Sequence, residues 1–225
     1  MRIRLLALPL VLLLGAAPGF PLPDRPVARI VSTEWSDEAS RDNAREAEQV
    51  MVFLGARPGM TIADIGAGSG YYTVRLAPRL APTGRVIAED IMPATVRQLR
   101  ARVRRAGLKN VDVVLGRPEN PLLRANSIDA ALLVHMYHEV TQPYALLWHL
   151  RAALKRGGQV AIVDVDRPTA AHGTPRGLLA CELAAVGYRR IGDLDLGAAG
   201  GYLAVFEPVG VRPRPQAIRP CRSRE

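Results

Sequence analysis

Thr61-Ile62-Ala63-Asp64-Ile65-Gly66-Ala67-Gly68-Ser69-Gly70-Tyr71-Tyr72 decides how the rest of this 225-residue chain is read. A short apolar run ends in an acid, a glycine-dense turn follows, and Val74, Leu76, Ala77 and Leu80 then give one face of an amphipathic helix. Glycines at 66, 68 and 70 allow backbone conformations closed to other residues and let a ligand lie against bare main chain. The helix start behind them offers unpaired N–H groups. A glycine turn between a strand and a helix, at the carboxyl end of the strand, is where open α/β sheets bind their ligands.

Outward from this stretch, apolar strands alternate with helical patterns. A helix is expected from about Asp37 to Leu54, with Ala44, Ala47, Val50, Met51 and Leu54 on one face, stopped by Gly55 and Pro58-Gly59. Strands are expected at 85–90, 111–115, 128–134 and 159–165. Helices are expected after Pro93 and Pro143, whose rings suit a first helical turn, and over 176–186. Segments 188–194 and 201–207 form an antiparallel pair around Gly197 to Gly201. Strand–helix alternation predicts a Rossmann-like, mostly parallel sheet with helices on both faces, closed by this C-terminal antiparallel hairpin.

Composition narrows the class. Hydrophobic residues make up 48% of the chain, enough for one substantial core. The net charge of +9 is carried by arginine, with Lys109 and Lys155 the only lysines, and aromatics are only 5%. No run interleaves basic and aromatic side chains, so no nucleic-acid partner is expected. Five arginines from Arg212 to Arg224 suggest a disordered basic tail over 208–225. Cys181 and Cys221 have neither metal nor framework spacing and are expected to be free thiols. Residues 1–23 combine a basic start, an apolar run from Leu5 to Ala17 and a Pro-rich end. That pattern suggests a signal peptide or an N-terminal anchor, and an exported, periplasmic or inner-membrane-anchored protein, with a cytoplasmic one as the alternative. The run is short for a membrane span, and no other span is expected.

The spacing of the glycines points to a ligand. A dinucleotide fingerprint would place its third glycine at 71, where Tyr71 stands, which disfavours a nicotinamide oxidoreductase. Acid-x-G-x-G-x-G, from Asp64 to Gly70, resembles the first motif of class I S-adenosylmethionine-dependent methyltransferases. Val86-Ile87-Ala88-Glu89-Asp90-Ile91-Met92-Pro93 resembles their second motif, and Asp129 to Val140 their fourth. Leu150 to Asp164 is similar to the L-K-P-G-G turn and strand, with Arg156 in place of proline. The resemblance runs from about residue 40 to 207 and implies a seven-stranded sheet, an S-adenosyl-L-methionine cofactor, and methyl transfer.

Site roles follow from that resemblance. Gly66, Gly68 and Gly70 would cradle the cofactor, Asp64 would reach its amino group, and Asp90 would take the ribose hydroxyls, a plain strand-end acid being the alternative. The family's acid after strand 3 is replaced by Arg117, and Pro118 has no N–H to offer. Glu119 or Asn120 could hold adenine instead, or both could be ordinary loop residues. In the ubiquinone and menaquinone biosynthesis methyltransferases the loop after strand 4 borders cofactor and acceptor. On that basis His135 is a pocket wall, and His138 with Glu139 is the candidate base, a structural histidine being the alternative. Asp129, at the start of its strand, is structural. Asp164, Asp166 and His172 have only generic spacing, so no metal is expected. The short connection after strand 5 favours a small-molecule acceptor over a docked protein. A non-catalytic exported binding or accessory protein on the same fold is the second hypothesis.

Overall fold

The computed structural model describes residues 19–30 and 37–222. Most of the expected leader or anchor therefore lies outside the described residues. Among those described, no helix is long and apolar enough to cross a membrane.

Seven strands form one sheet in the order β3-β2-β1-β4-β5-β7-β6. They are β1 (Thr61–Ile65), β2 (Arg85–Asp90), β3 (Val111–Leu115), β4 (Ile128–Val134), β5 (Leu154–Asp164), β6 (Tyr188–Asp195) and β7 (Tyr202–Pro208). The first five are parallel, and β7 runs antiparallel between β5 and β6. The order reverses between β1 and β4, which opens a crevice at the carboxyl ends of those strands.

Helices cover both faces. α2 (Glu46–Phe53), α3 (Tyr71–Leu80) and α4 (Pro93–Arg105) bring Val50, Met51, Leu76, Leu80, Leu99 and Val103 against Ile62, Val86 and Leu132. α5 (Pro143–Ala153) and α6 (Arg176–Ala185) bring Leu147, Leu150, Leu179 and Leu183 against Ile65, Leu133 and Ile162. At the far end of the sheet Asp129 accepts from Lys155 Nζ and the Thr61 N–H, both at 2.7 Å. It thus ties strand starts together, away from the crevice.

Three expectations are corrected. The helix from Asp37 to Leu54 is two helices, α1 (Glu38–Asn43) and α2, because Arg45 takes a left-handed φ of 54° between them. The cysteines are not free: Cys181 and Cys221 form a disulfide. The tail is not disordered through 222. Arg212 stacks 3.5 Å from the Trp148 ring, Trp148 Nε1 donates to Pro213 O, the Cys221 N–H donates to Tyr144 Oη, and Ile218 and Cys221 are buried. Charge composition suggested a solvated segment, but guanidinium stacking and burial of two apolar side chains hold it on α5.

Candidate active site

The loop after β1 is shaped by its glycines. Gly66 and Gly70 have φ of 65° and 92°. A Cβ on Gly66 would come within 3.0 Å of the Met136 side chain, and one on Gly70 within 2.5 Å of Leu99 Cδ1. Side chains are therefore disfavoured at both places by backbone conformation, and at Gly70 by space as well. The loop surrounds a cavity of about 400 Å³, lined among others by Asp64, Gly66, Gly68, Glu89, Asp90 and His135.

Three acids crowd this cavity. Asp64 is buried and accepts from Thr73 Oγ1 at 2.6 Å, and burial raises its carboxyl to about 6. Asp90 accepts from the N–H groups of Gly68 (3.0 Å) and Met92 (2.8 Å), so the end of β2 is tied to the glycine loop. Burial raises its pKa as well. Glu89, which sequence reasoning passed over, is also buried and lines the cavity. Its Oε2 lies 3.4 Å from the Gly66 N, and its Oε1 has no hydrogen-bond partner among the described residues. Gly116 must lack a side chain to leave room, because a Cβ there would fall 1.7 Å from Glu89 Oε1. Burial, together with the charges of Asp90 and Asp64, pushes Glu89 up to about 8. The cavity is thus short of positive charge.

A second cluster closes the cavity from α1 and α2. Glu46 is buried, accepts from Arg41 Nη2 (2.6 Å) and Tyr72 Oη (2.9 Å), and lies 3.6 Å from His135 Nε2. Burial opposes its ionisation, but the neighbouring His135 ring and the hydrogen-bonded Arg41 guanidinium prevail and hold it at about 2. Arg41 lines the cavity and stands 3.8 Å from the Tyr71 ring. Arg41 lies off the apolar face of the single helix expected from the sequence; the break at Arg45 separates the short helix that carries it from α2.

The loop after β4 holds the remaining candidates. His135 has a left-handed φ of 51° and lines the cavity, as does Glu139. His138 is fully buried and does not line it. Its Nδ1 lies 3.0 Å from both Asp164 carboxylate oxygens. Asp164 also accepts from Thr174 Oγ1 (2.6 Å) and the Val165 N–H (2.8 Å), so the imidazole has a fixed backing. The stretch before α1 holds this loop from below: the Ala28 N–H donates to His138 O, and buried Arg25 pairs with Glu182 at 2.9 Å while reaching Tyr137 O. Asp166 turns instead to Arg176.

The structure does not bring Glu119 to the cavity. Arg117 and Asn120 exchange backbone hydrogen bonds, so Glu119 sits at the tip of a tight turn while Arg117 and Pro118 line the cavity. Asn120 Oδ1 is taken up by the Leu122 N–H.

Residues 62–158 match the family model described as a methyltransferase domain. The chain is 36% identical over 129 residues to an uncharacterized 37.1 kDa protein of a Streptomyces fradiae transposon, covering 57% of this chain and 37% of that protein. It is 31% identical over 116 residues to the ubiquinone/menaquinone biosynthesis C-methyltransferase UbiE of Hydrogenovibrio crunogenus, covering 51% of this chain and 46% of UbiE. It therefore spans less than half of either relative. Among solved structures, a SAM-dependent methyltransferase from Aquifex aeolicus superposes with a TM-score of 0.69 at 24% identity, over 76% of this chain and 97% of the other. The [4+2]-cyclase SpnF superposes with a TM-score of 0.66 at 17% identity, over 83% and 89%. The fold is shared with both, and fold alone does not select a chemistry.

Proposed function

We propose that this chain is an S-adenosylmethionine-dependent methyltransferase acting on a small-molecule acceptor. The methyltransferase-domain match and the methyltransferases among its relatives and fold neighbours imply S-adenosylmethionine as the cofactor. The observation that carries the reading is the pairing of a side-chain-free loop with three buried carboxyls. A ligand that is cationic at both its ammonium and its sulfonium supplies the positive charge this cavity lacks. The relatives named above give no support to a non-catalytic protein.

In this reading Gly66, Gly68 and Gly70 give the cofactor bare backbone, Asp90 accepts from the ribose hydroxyls, and Asp64 accepts from the ammonium. Arg41, already at the cavity wall, is assigned to the carboxylate of the methionine part. His135 forms a wall. The bound cofactor supplies a methyl group already activated on sulfur, so the protein's task is alignment and exclusion of water. Glu139 lines the cavity beside the acceptor's place, with His138 held behind it by Asp164, and these two are the proposed proton acceptors.

Calorimetry with S-adenosylhomocysteine tests the cofactor assignment. One equivalent is expected to bind the folded chain, and a folded chain that binds none would overturn the proposal. An acceptor screen with labelled methyl donor would then name the substrate.

Export is proposed as well. The signal-like N-terminus motivates it, and a disulfide between Cys181 and Cys221 suits an oxidising compartment. Mass spectrometry of the chain from its native host, with thiols alkylated before unfolding, is expected to show a linked pair. A fully alkylated pair would count against export.

A further inference from the structure

His138, Glu139 and His172 each offer one ligand atom, and these atoms all lie within 4.8 Å of one another. We propose that they form a binding site for a divalent transition ion of the zinc class, bordering the cofactor cavity through Glu139. The site does not depend on the identity of the methyl donor.

Three observations carry it. First, His138 Nδ1 is engaged by both oxygens of Asp164 at 3.0 Å, which leaves Nε2 as the nitrogen able to ligate. A carboxylate behind a histidine fixes the tautomer with the Nε2 lone pair outward and makes the ring a better ligand. Thr174 and the Val165 N–H fix that carboxylate in turn. Second, His172 Nδ1 is buried and has no hydrogen-bond partner among the described residues. Its residue is held at a left-handed φ of 58°, with Arg167 Nε and Nη2 donating to its carbonyl at 3.2 and 3.0 Å. A buried, unsatisfied imidazole nitrogen on a constrained backbone needs a reason, and a ligated ion provides one. Third, the two rings meet edge to face, 87° apart with centroids at 5.4 Å, which holds both side chains in one place while their ligand atoms stay within 4.8 Å of each other and of Glu139.

The donor set selects the ion. Two neutral imidazoles and one carboxylate suit zinc and its neighbours, whereas calcium and magnesium take mostly oxygen. Three protein ligands leave a fourth position open. With the ion bound, His138 and Glu139 are its ligands, and the proton-acceptor role assigned to them above belongs to the ion-free chain. An acceptor hydroxyl in the open position would be acidified by the ion and would lose its proton to water. Sequence spacing grouped His172 with Asp164 and Asp166. The fold instead turns Asp164 into the support of a ligand and sends Asp166 to Arg176.

The test uses the tag-free full chain, stripped with a chelator and titrated with Zn²⁺ and, as a spectroscopic probe, Co²⁺. One equivalent is expected to bind, with Co²⁺ giving the visible bands of a low-coordinate site. His172→Ala should weaken binding at least about 100-fold, beyond the loss typical for a supporting residue. His149→Ala, on α5, should change nothing. Should His172→Ala fail to melt cooperatively, Glu139→Gln carries the same expectation. No binding tighter than about 10 μM, well short of the affinities structural zinc reaches, would overturn the site. So would a Co²⁺ spectrum and affinity unchanged by either substitution.

Discussion

Asp90 and Glu89 are neighbours on β2, yet the structure gives them different work. Asp90 is tied to the loop by the Gly68 and Met92 N–H groups, and its assigned partner is the ribose. Asp90→Ala is expected to weaken S-adenosylhomocysteine binding by one to two powers of ten, about 1.5–3 kcal/mol for charge-assisted hydrogen bonds. Calorimetry at constant pH checks this, and unchanged affinity would refute the assignment. Glu89 carries a pH signature. Its carboxyl sits at about 8 in the folded protein and 4.5 ordinarily, so between these values the folded state keeps a proton that the unfolded state has released. Stability contributed by this group therefore falls as pH rises through that window. Glu89→Gln is expected to match the parent Tm near pH 4.5 and exceed it above pH 8, as thermal melts across pH will show. Cofactor binding near pH 7 should also release a proton from Glu89, since a cation nearby favours the charged form. The heat of binding should then vary with buffer ionisation enthalpy. Asp90 was legible in the sequence because it ends a strand at a known distance from the glycines. Glu89 was not, because an acid one place earlier looks like an ordinary exposed residue until Gly116 is found against it.

At the scale of elements, the glycine loop is the feature most dependent on one residue type. Gly70 caps α3 in a left-handed conformation and touches Leu99 of α4, so it couples two helices to the loop. Gly70→Ala adds both backbone strain and a clash, and is expected to cost about 2–4 kcal/mol. Denaturant unfolding measures this, and a change within 0.5 kcal/mol (about the noise of a neutral surface substitution) would mean the loop relaxes freely. All seven strands were legible within a few residues because apolar runs alternated with helical periods. The break at Arg45 was not, since a left-handed arginine leaves no local signal. The early start of β5, at Leu154 rather than 159, was hidden by a turn-like Gly157-Gly158 pair. The stretch before α1 looked irregular in sequence, and its importance lies in a long-range pair, Arg25 with Glu182, 157 positions apart.

For the whole molecule, the disulfide is the largest single constraint outside the core. It closes a loop with a sequence separation of 40, and removing it is expected to cost about 3–4 kcal/mol. The doubly substituted Cys181→Ala, Cys221→Ala chain should unfold at lower denaturant and lose residues beyond about 208 to limited proteolysis before the sheet is attacked. Simultaneous loss of both would show that the tail and the sheet unfold as one unit. Neither cysteine could be paired from sequence, because two thiols without framework spacing are as consistent with reduction as with a link.

Asp24 and Arg222 meet as neighbours in a short parallel bridge at the surface. The described polypeptide is consequently almost a closed circuit. A few added residues could join 222 to 24, and a new opening could be made between the exposed Gly197 and Ala198, ahead of Ala199, which packs on the core. The architecture would then be transcribed from a different starting point, with β7 read first and its neighbour β6 read last.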